Sequence, residues 1–261
     1  MTLPFDNVTI IIEGTLYSNI DLHNTLQYYT SLCHVVLTIF KTDINVITDI
    51  CKPFPSVTII ENDINDYRKI PVRIDQQFKN HTAMSLLSGF FQICSVKKAL
   101  ECVNTEYVVK TKIDHFYGGM DKFIKCGLLH PDKITSSSLF HRGCQDKNVP
   151  NRSRFCLTDT LFIAKTISIK KCFDLCYDNK LLTRVATGIW TPYFIHIFKE
   201  MNIDICTVDD ELYVKYMNEI VNIYNVNDFA PYKFKYFDQI RNYMHDTNKT
   251  TYEYLMYGCD C

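Results

Sequence analysis

The sequence predicts an α/β fold with a mostly parallel central sheet flanked by helices. Three observations predict it: short β-branched apolar runs recur, each run closes on glycine or polar residues, and helical-period segments lie between them. A chain of 261 residues can bury one sizeable core, so a single domain over residues 1–261 is expected.

Residues 7–13, Asn-Val-Thr-Ile-Ile-Ile-Glu, read as a strand buried on both faces and closed by a turn at Gly14. Asp21 is placed to cap a helix carrying Leu22, Leu26 and Tyr29 on one side. A second strand over residues 33–40 ends at Lys41-Thr42-Asp43. A short helix and a third strand over residues 56–60 lead into Glu61-Asn62-Asp63, and this alternation implies a parallel, Rossmann-like sheet. Residues 82–103 are helical in pattern, with Leu86, Phe90, Cys94, Ala99 and Leu100 available for burial, and Tyr107-Val108-Val109 follows as a strand. Residues 132–154, rich in Ser, Lys, Asn and Arg, read as including an ordered loop over a site rather than a domain linker. Beyond them lie an apolar run over 161–164, a helix over 168–177 and weaker helical segments over 190–201, 211–220 and 237–245.

With 28 Lys plus Arg against 29 Asp plus Glu, the chain has no net field to draw it onto nucleic acid or an anionic membrane. Any phosphate it binds is held by local groups. The 12 cysteines are scattered, and Met1 leads into Thr-Leu-Pro-Phe-Asp rather than a basic and apolar signal. They read as reduced thiols in a cytoplasmic protein, without the paired spacing of a structural zinc site. No apolar run approaches the roughly 20 residues that span a bilayer.

In an open α/β sheet, ligands bind outside the carboxyl ends of the strands, where loops converge. Here that selects Glu13-Gly14-Thr15, Lys41-Thr42-Asp43, Glu61-Asn62-Asp63 and the segment Lys110-Thr111-Lys112-Ile113-Asp114. Gly14 lets a base or ribose approach the backbone, and Asp43 can accept hydrogen bonds from a base N–H or sugar hydroxyls. The plainer readings are a turn glycine and a helix cap. Lys110, Lys112 and Asp114 bring the charge that an anionic diphosphate needs, directly from lysine or through a metal held by aspartate. A solvated strand terminus is the plainer reading. Asp159, in Thr158-Asp159-Thr160, is the candidate acceptor-side base, with an N-cap as its alternative.

Four segments in order carry a resemblance: Ile10-Ile11-Ile12-Glu13-Gly14-Thr15-Leu16, Asn80-His81-Thr82-Ala83-Met84-Ser85 running to Gly89-Phe90, Tyr107-Val108-Val109-Lys110-Thr111-Lys112-Ile113-Asp114, and Phe155-Cys156-Leu157-Thr158-Asp159-Thr160-Leu161-Phe162. Together they resemble the WavE lipopolysaccharide-synthesis family, which looks like nucleotide-sugar glycosyltransferases of the GT-A fold. The likeness covers roughly residues 7–200. His81 stands where that family has arginine, and Pro192-Tyr193-Phe194 lacks the carboxylate of the family's Pro-Glu-Gln-Tyr. The resemblance implies a nucleotide-binding half over about residues 1–118 and an acceptor-side half over about 119–261. Together with the strand-end Asp43, it implies a nucleotide-sugar site at Glu13, Gly14, Thr15, Asn80, His81, Lys110, Lys112 and Asp114, with a glycan or glycolipid hydroxyl as acceptor. Asp114 matches the second carboxylate of an Asp-x-Asp metal motif, and Lys112 replaces the first. The compensating charge then comes from a divalent cation, Mn or Mg, or from lysine. The competing readings are a nucleotidyltransferase, whose glycine-rich triphosphate loop is missing here, and a noncatalytic glycan- or protein-binding module.

Overall fold

The computed structural model describes residues 2–16, 22–74, 83–138, 157–182, 185–204, 208–225 and 232–234. In chain order the elements are β1 (Val8–Gly14), α1 (Leu22–Thr30), β2 (His34–Phe40), one 3-10 turn (Lys41–Asp43), α2 (Ile44–Cys51), β3 (Thr58–Asn62), α3 (Ile64–Arg68), β4 (Arg73–Ile74), α4 (Ala83–Glu101) and β5 (Tyr107–Lys112). They continue with β6 (His115–Tyr117), α5 (Met120–Leu129), β7 (Ile134–Ser137), β8 (Phe162–Lys165), α6 (Thr166–Asn179), β9 (Leu181–Leu182), α7 (Val185–Glu200), α8 (Asp210–Ile220), β10 (Val221–Tyr224) and β11 (Tyr232–Phe234).

Seven strands form the main sheet in the order β10-β7-β8-β5-β1-β2-β3, and β11-β6 and β4-β9 pair separately. Within the main sheet only β8 is reversed, running antiparallel to both β5 and β7. The α/β fold with a mostly parallel sheet, predicted from the alternation of strands and helices, is therefore the one observed.

Side-chain alternation along each strand divides the core between two helix layers. Ile10, Ile12, Leu37, Ile39 and Val109 pack against Leu26 and Tyr29 of α1, Ile47 of α2, and Phe123 and Ile124 of α5. On the other face, Ile11, Val36, Val108 and Phe162 pack against Val96 and Leu100 of α4, Phe173 of α6, Trp190 and Phe194 of α7, and Met217 of α8. Each fully buried apolar side chain of this kind contributes about 1.5–3 kcal/mol relative to exposure. Both faces of the sheet are thus committed to packing, and ligand contacts are left to its edges. No helix among the described residues is long and apolar enough to cross a membrane.

Several boundaries differ from those the sequence predicts. β5 continues through Lys112, so the lysines lie within a strand rather than beyond its end. Residues 134–137 form β7, buried along its length, within the stretch expected to include a loop, and residues 139–154 of that stretch lie outside the described residues. The hydroxyl-rich sequence of β7 reads as polar punctuation, yet β8 and β10 flank it and complete its backbone pairing. Helix α5 is not among the predicted elements, and α7 begins at Val185 rather than at Trp190. Asp21 and the helix expected over 237–245 lie outside the described residues.

Candidate functional site

The parallel register of β1 and β5 sets Glu13 beside Lys112 and Ile11 beside Lys110. Glu13, Lys110 and Lys112 therefore point to the α4 side of the sheet. Lys110 is fully buried, its Nζ lies 3.0 Å from Glu13 Oε1, and it donates a hydrogen bond to the Asp159 carbonyl. Lys112 Nζ lies 2.8 Å from Asp159 Oδ2, and Gln92 of α4 donates to the same oxygen at 3.4 Å. Asp159 is consequently held through both its backbone and its carboxylate. It does not cap a helix, because β8 follows it and Thr158 Oγ1 accepts from the Thr160 backbone N–H instead.

Burial disfavours the ionised form of Asp159, but the charges of Lys112 and Lys110 overcome this and hold it below the usual carboxylate range. Burial likewise opposes the charge on Lys112, and Asp159 and Glu13 outweigh it, raising its pKa. For Lys110, burial wins and the pKa is lowered. Asp114 sits in the turn after β5, its Oδ1 3.6 Å from His115 Nε2, while His115 Nδ1 lies 3.1 Å from the Tyr117 hydroxyl. Burial drives the pKa of His115 down to about 3 against the opposing Asp114 charge, so the ring is neutral at physiological pH.

Beside this cluster a cleft of about 560 Å³ opens at the carboxyl ends of β1, β2 and β3. Thr15, Phe40 to Thr42, Asp63 to Asn65, and Ser88 and Phe91 of α4 form its walls. The wall beyond β1 is pinned by Asp43, whose Oδ2 accepts from the Leu16 backbone N–H at 3.2 Å. Asp43 makes no side-chain cap bond at α2, whereas Asp63 does cap α3 by accepting from Asn65 N–H at 2.8 Å. Behind the cleft, buried Asn62 donates to Thr38 Oγ1 at 2.8 Å and to the Ile39 carbonyl at 2.9 Å, and accepts from the Tyr67 hydroxyl. These satisfied groups give the cleft a fixed back wall.

Gly14 has φ +128°, and a Cβ placed there would lie 3.1 Å from Ile113 Cγ2. The Glu13 carbonyl also accepts from Ile113 N–H at 2.8 Å, locking the ends of β1 and β5 together. Glycine is therefore required by the backbone at this position.

The structure brings Glu13, Lys110, Lys112 and Asp159 into contact, with Asp114 in the turn after the same strand; Thr15 lines the cleft, and Asp43 holds the Leu16 backbone. Lys110 faces the core rather than an open edge, because Glu13 and the Asp159 carbonyl satisfy it there. Asn80 and His81 lie outside the described residues. Sequence reasoning missed Gln92, Ser88 and Phe91, which share one stretch of α4. Their signal is a polar residue, Gln92, inside an otherwise apolar helical run.

Among the described residues no three His, Cys, Asp or Glu side chains are grouped as a metal site requires. The nearby carboxylates are engaged, Glu13 with Lys110 and Asp159 with Lys112. This donor set does not fit a divalent cation.

The fold and cleft define an α/β protein with a polar site at the carboxyl edge of a mostly parallel sheet. No family model matches the chain, and no curated protein does. Among solved structures, it is similar to 4-diphosphocytidyl-2C-methyl-D-erythritolsynthase from Anaerococcus prevotii DSM 20548, with a TM-score of 0.43 and 14% identity over 84% of this chain and 87% of that one. It is also similar to HddC from Yersinia pseudotuberculosis complexed with GMP-PN, with a TM-score of 0.37 and 14% identity over 74% of this chain and 98% of that one.

Proposed function

We propose that the chain is a nucleotide-dependent transferase that moves a sugar from a nucleoside diphosphate to a glycan or glycolipid hydroxyl. The observation that carries this reading is that one stretch of α4 serves both the cleft and the lysine and carboxylate cluster. Ser88 and Phe91 line the cleft, and the next residue, Gln92, bonds to Asp159. A nucleoside in the cleft, beside Gly14 and Thr15, would direct its diphosphate toward Lys112. Glu13 and Lys110 then act as positioning residues, because both are buried.

The reaction is a direct displacement with inversion. The acceptor oxygen bonds to the anomeric carbon as the bond from that carbon to the diphosphate breaks, the hydroxyl proton passes to Asp159, and the diphosphate leaves against Lys112. While paired with Lys112, Asp159 is too weakly basic for that task, since a general base works best with a pKa near the operating pH. As Lys112 turns to the diphosphate, Asp159 is released and its pKa rises. Donor binding thus switches on the base.

Nucleotidyl transfer, with attack at phosphorus, is the second reading, because the same cleft accepts a nucleoside whichever group leaves. Against it, residues 1–40 contain no Lys or Arg, so the segment after β1 offers no cation to a triphosphate.

The test is a panel of nucleoside diphosphate sugars, assayed for binding and slow hydrolysis, beside nucleoside triphosphates with sugar phosphates assayed for pyrophosphate release. Hydrolysis of one sugar nucleotide is expected, with Asp159→Asn binding it normally but turning over about 10²- to 10⁴-fold more slowly. Pyrophosphate release would replace this reading with the second, and no binding to either panel would leave a noncatalytic module.

A further inference from the structure

At the end of β5, Glu13 and Asp159 each pair with one of two ammonium groups carried on that strand, and Asp114 lies in the turn beyond it. Lys110 pairs with Glu13 at 3.0 Å and Lys112 with Asp159 at 2.8 Å, while Asp114 faces the neutral ring of His115. A divalent cation needs several oxygen ligands, and Mg²⁺ demands near-octahedral geometry. To take Glu13 or Asp159 as a ligand it must displace the ammonium already paired with that carboxylate.

The two lysines are not equivalent. Lys110 has no exposed side-chain surface and is fixed by Glu13 and the Asp159 carbonyl, whereas 24% of the Lys112 side chain is open to solvent. Lys112 can therefore exchange Asp159 for an incoming anion without leaving its strand. A compact ammonium on a flexible stem suits a phosphate approached as a point charge.

We infer that Lys112 occupies the place of a divalent cation, so that the site takes up the diphosphate of its nucleotide substrate without a metal. The identity of the anion rests on the proposed transferase reading; the exclusion of the cation rests on the carboxylate pairing alone. Two consequences follow. Chelators leave nucleotide binding intact, and replacing Lys112 with a carboxylate converts a metal-independent site into a metal-dependent one.

The experiment uses the full chain and two probes. Mn²⁺ alone is titrated while the signal of the free ion is followed by electron paramagnetic resonance. UDP and GDP are titrated calorimetrically with either EDTA or Mn²⁺ present. The parent protein is expected to take up no Mn²⁺ and to bind its nucleotide within about twofold under both conditions. Lys112→Met should weaken nucleotide binding at least about tenfold, and Lys112→Arg, which keeps the charge, should retain it. Lys112→Asp should take up Mn²⁺ and bind nucleotide only when Mn²⁺ is present. Circular dichroism confirms that each variant is folded, and the parent's own Mn²⁺ titration needs no variant.

Stoichiometric Mn²⁺ uptake by the parent, or loss of its nucleotide binding in EDTA, overturns the inference. If neither nucleotide binds under any condition, the transferase reading fails. The Mn²⁺ titrations of the parent and Lys112→Asp still decide the cation question, uptake by the variant alone supporting the inference and uptake by the parent refuting it.

Discussion

Lys110 and Glu13 are each other's means of being buried. Removing one partner of such a pair typically costs about 3–5 kcal/mol, because the other charge stays in the interior unpaired. Lys110→Met should lower the urea midpoint by that equivalent, and adding Glu13→Gln should recover much of the loss. No recovery would mean that the carboxylate has another escape from burial. His115 makes a pH-dependent contribution of determinable sign. Its folded pKa is about 3 and its unfolded value about 6.5, so the unfolded chain binds the proton first. The stability it contributes is complete above about pH 6.5 and is lost as pH falls toward 3, at up to about 1.4 kcal/mol per pH unit. Urea titrations between pH 8 and pH 5 should show this slope, and His115→Gln should flatten it. At this scale the sequence locates Asp43 and Asp159 but not their partners. Asp43 bonds to the Leu16 backbone and Asp159 to lysines on a distant strand, contacts that local spacing does not encode.

At the scale of elements, α5 meets the sheet through Gly127. A Cβ added there would lie 2.3 Å from Ile163 Cγ2, a side chain that is itself buried in β8. Overpacking of this kind costs about 1–3 kcal/mol, more than the roughly 1 kcal/mol that alanine gains over glycine in a helix. Gly127→Ala should therefore lower the melting temperature, and a rise would show that α5 can lift from β8 at little cost. Strands β1, β2 and β5 are legible in the sequence because burial on both faces demands unbroken β-branched runs. β7 is not, because Thr135, Ser136 and Ser137 are buried without being apolar. β5 ends later than its apolar run because its last residues are held by ion pairs rather than by hydrophobic burial.

At the scale of the whole molecule, the α/β class and parallel pairing follow from the order of elements, whereas the reversed strand β8 follows from no local signal. Of the seven described cysteines only Cys102 is exposed. Burial raises the thiol pKa of Cys33 and Cys94 to about 12. An aromatic disulfide reagent at pH 8 should accordingly modify Cys102 first among these seven, with Cys33 and Cys94 following only on unfolding. Rapid reaction of Cys94 in the native protein would contradict the closed packing of α4. The reversed strand also bears on how the chain assembles as it is synthesised. β7 emerges before β8, yet β8 is the strand that joins it to β5. Until β8 emerges, β5 presents a bare edge and β7 has no link to the strands already made, a condition that invites pairing with other nascent chains. The first four parallel strands can close early, but the second half of the sheet must wait for one short antiparallel strand.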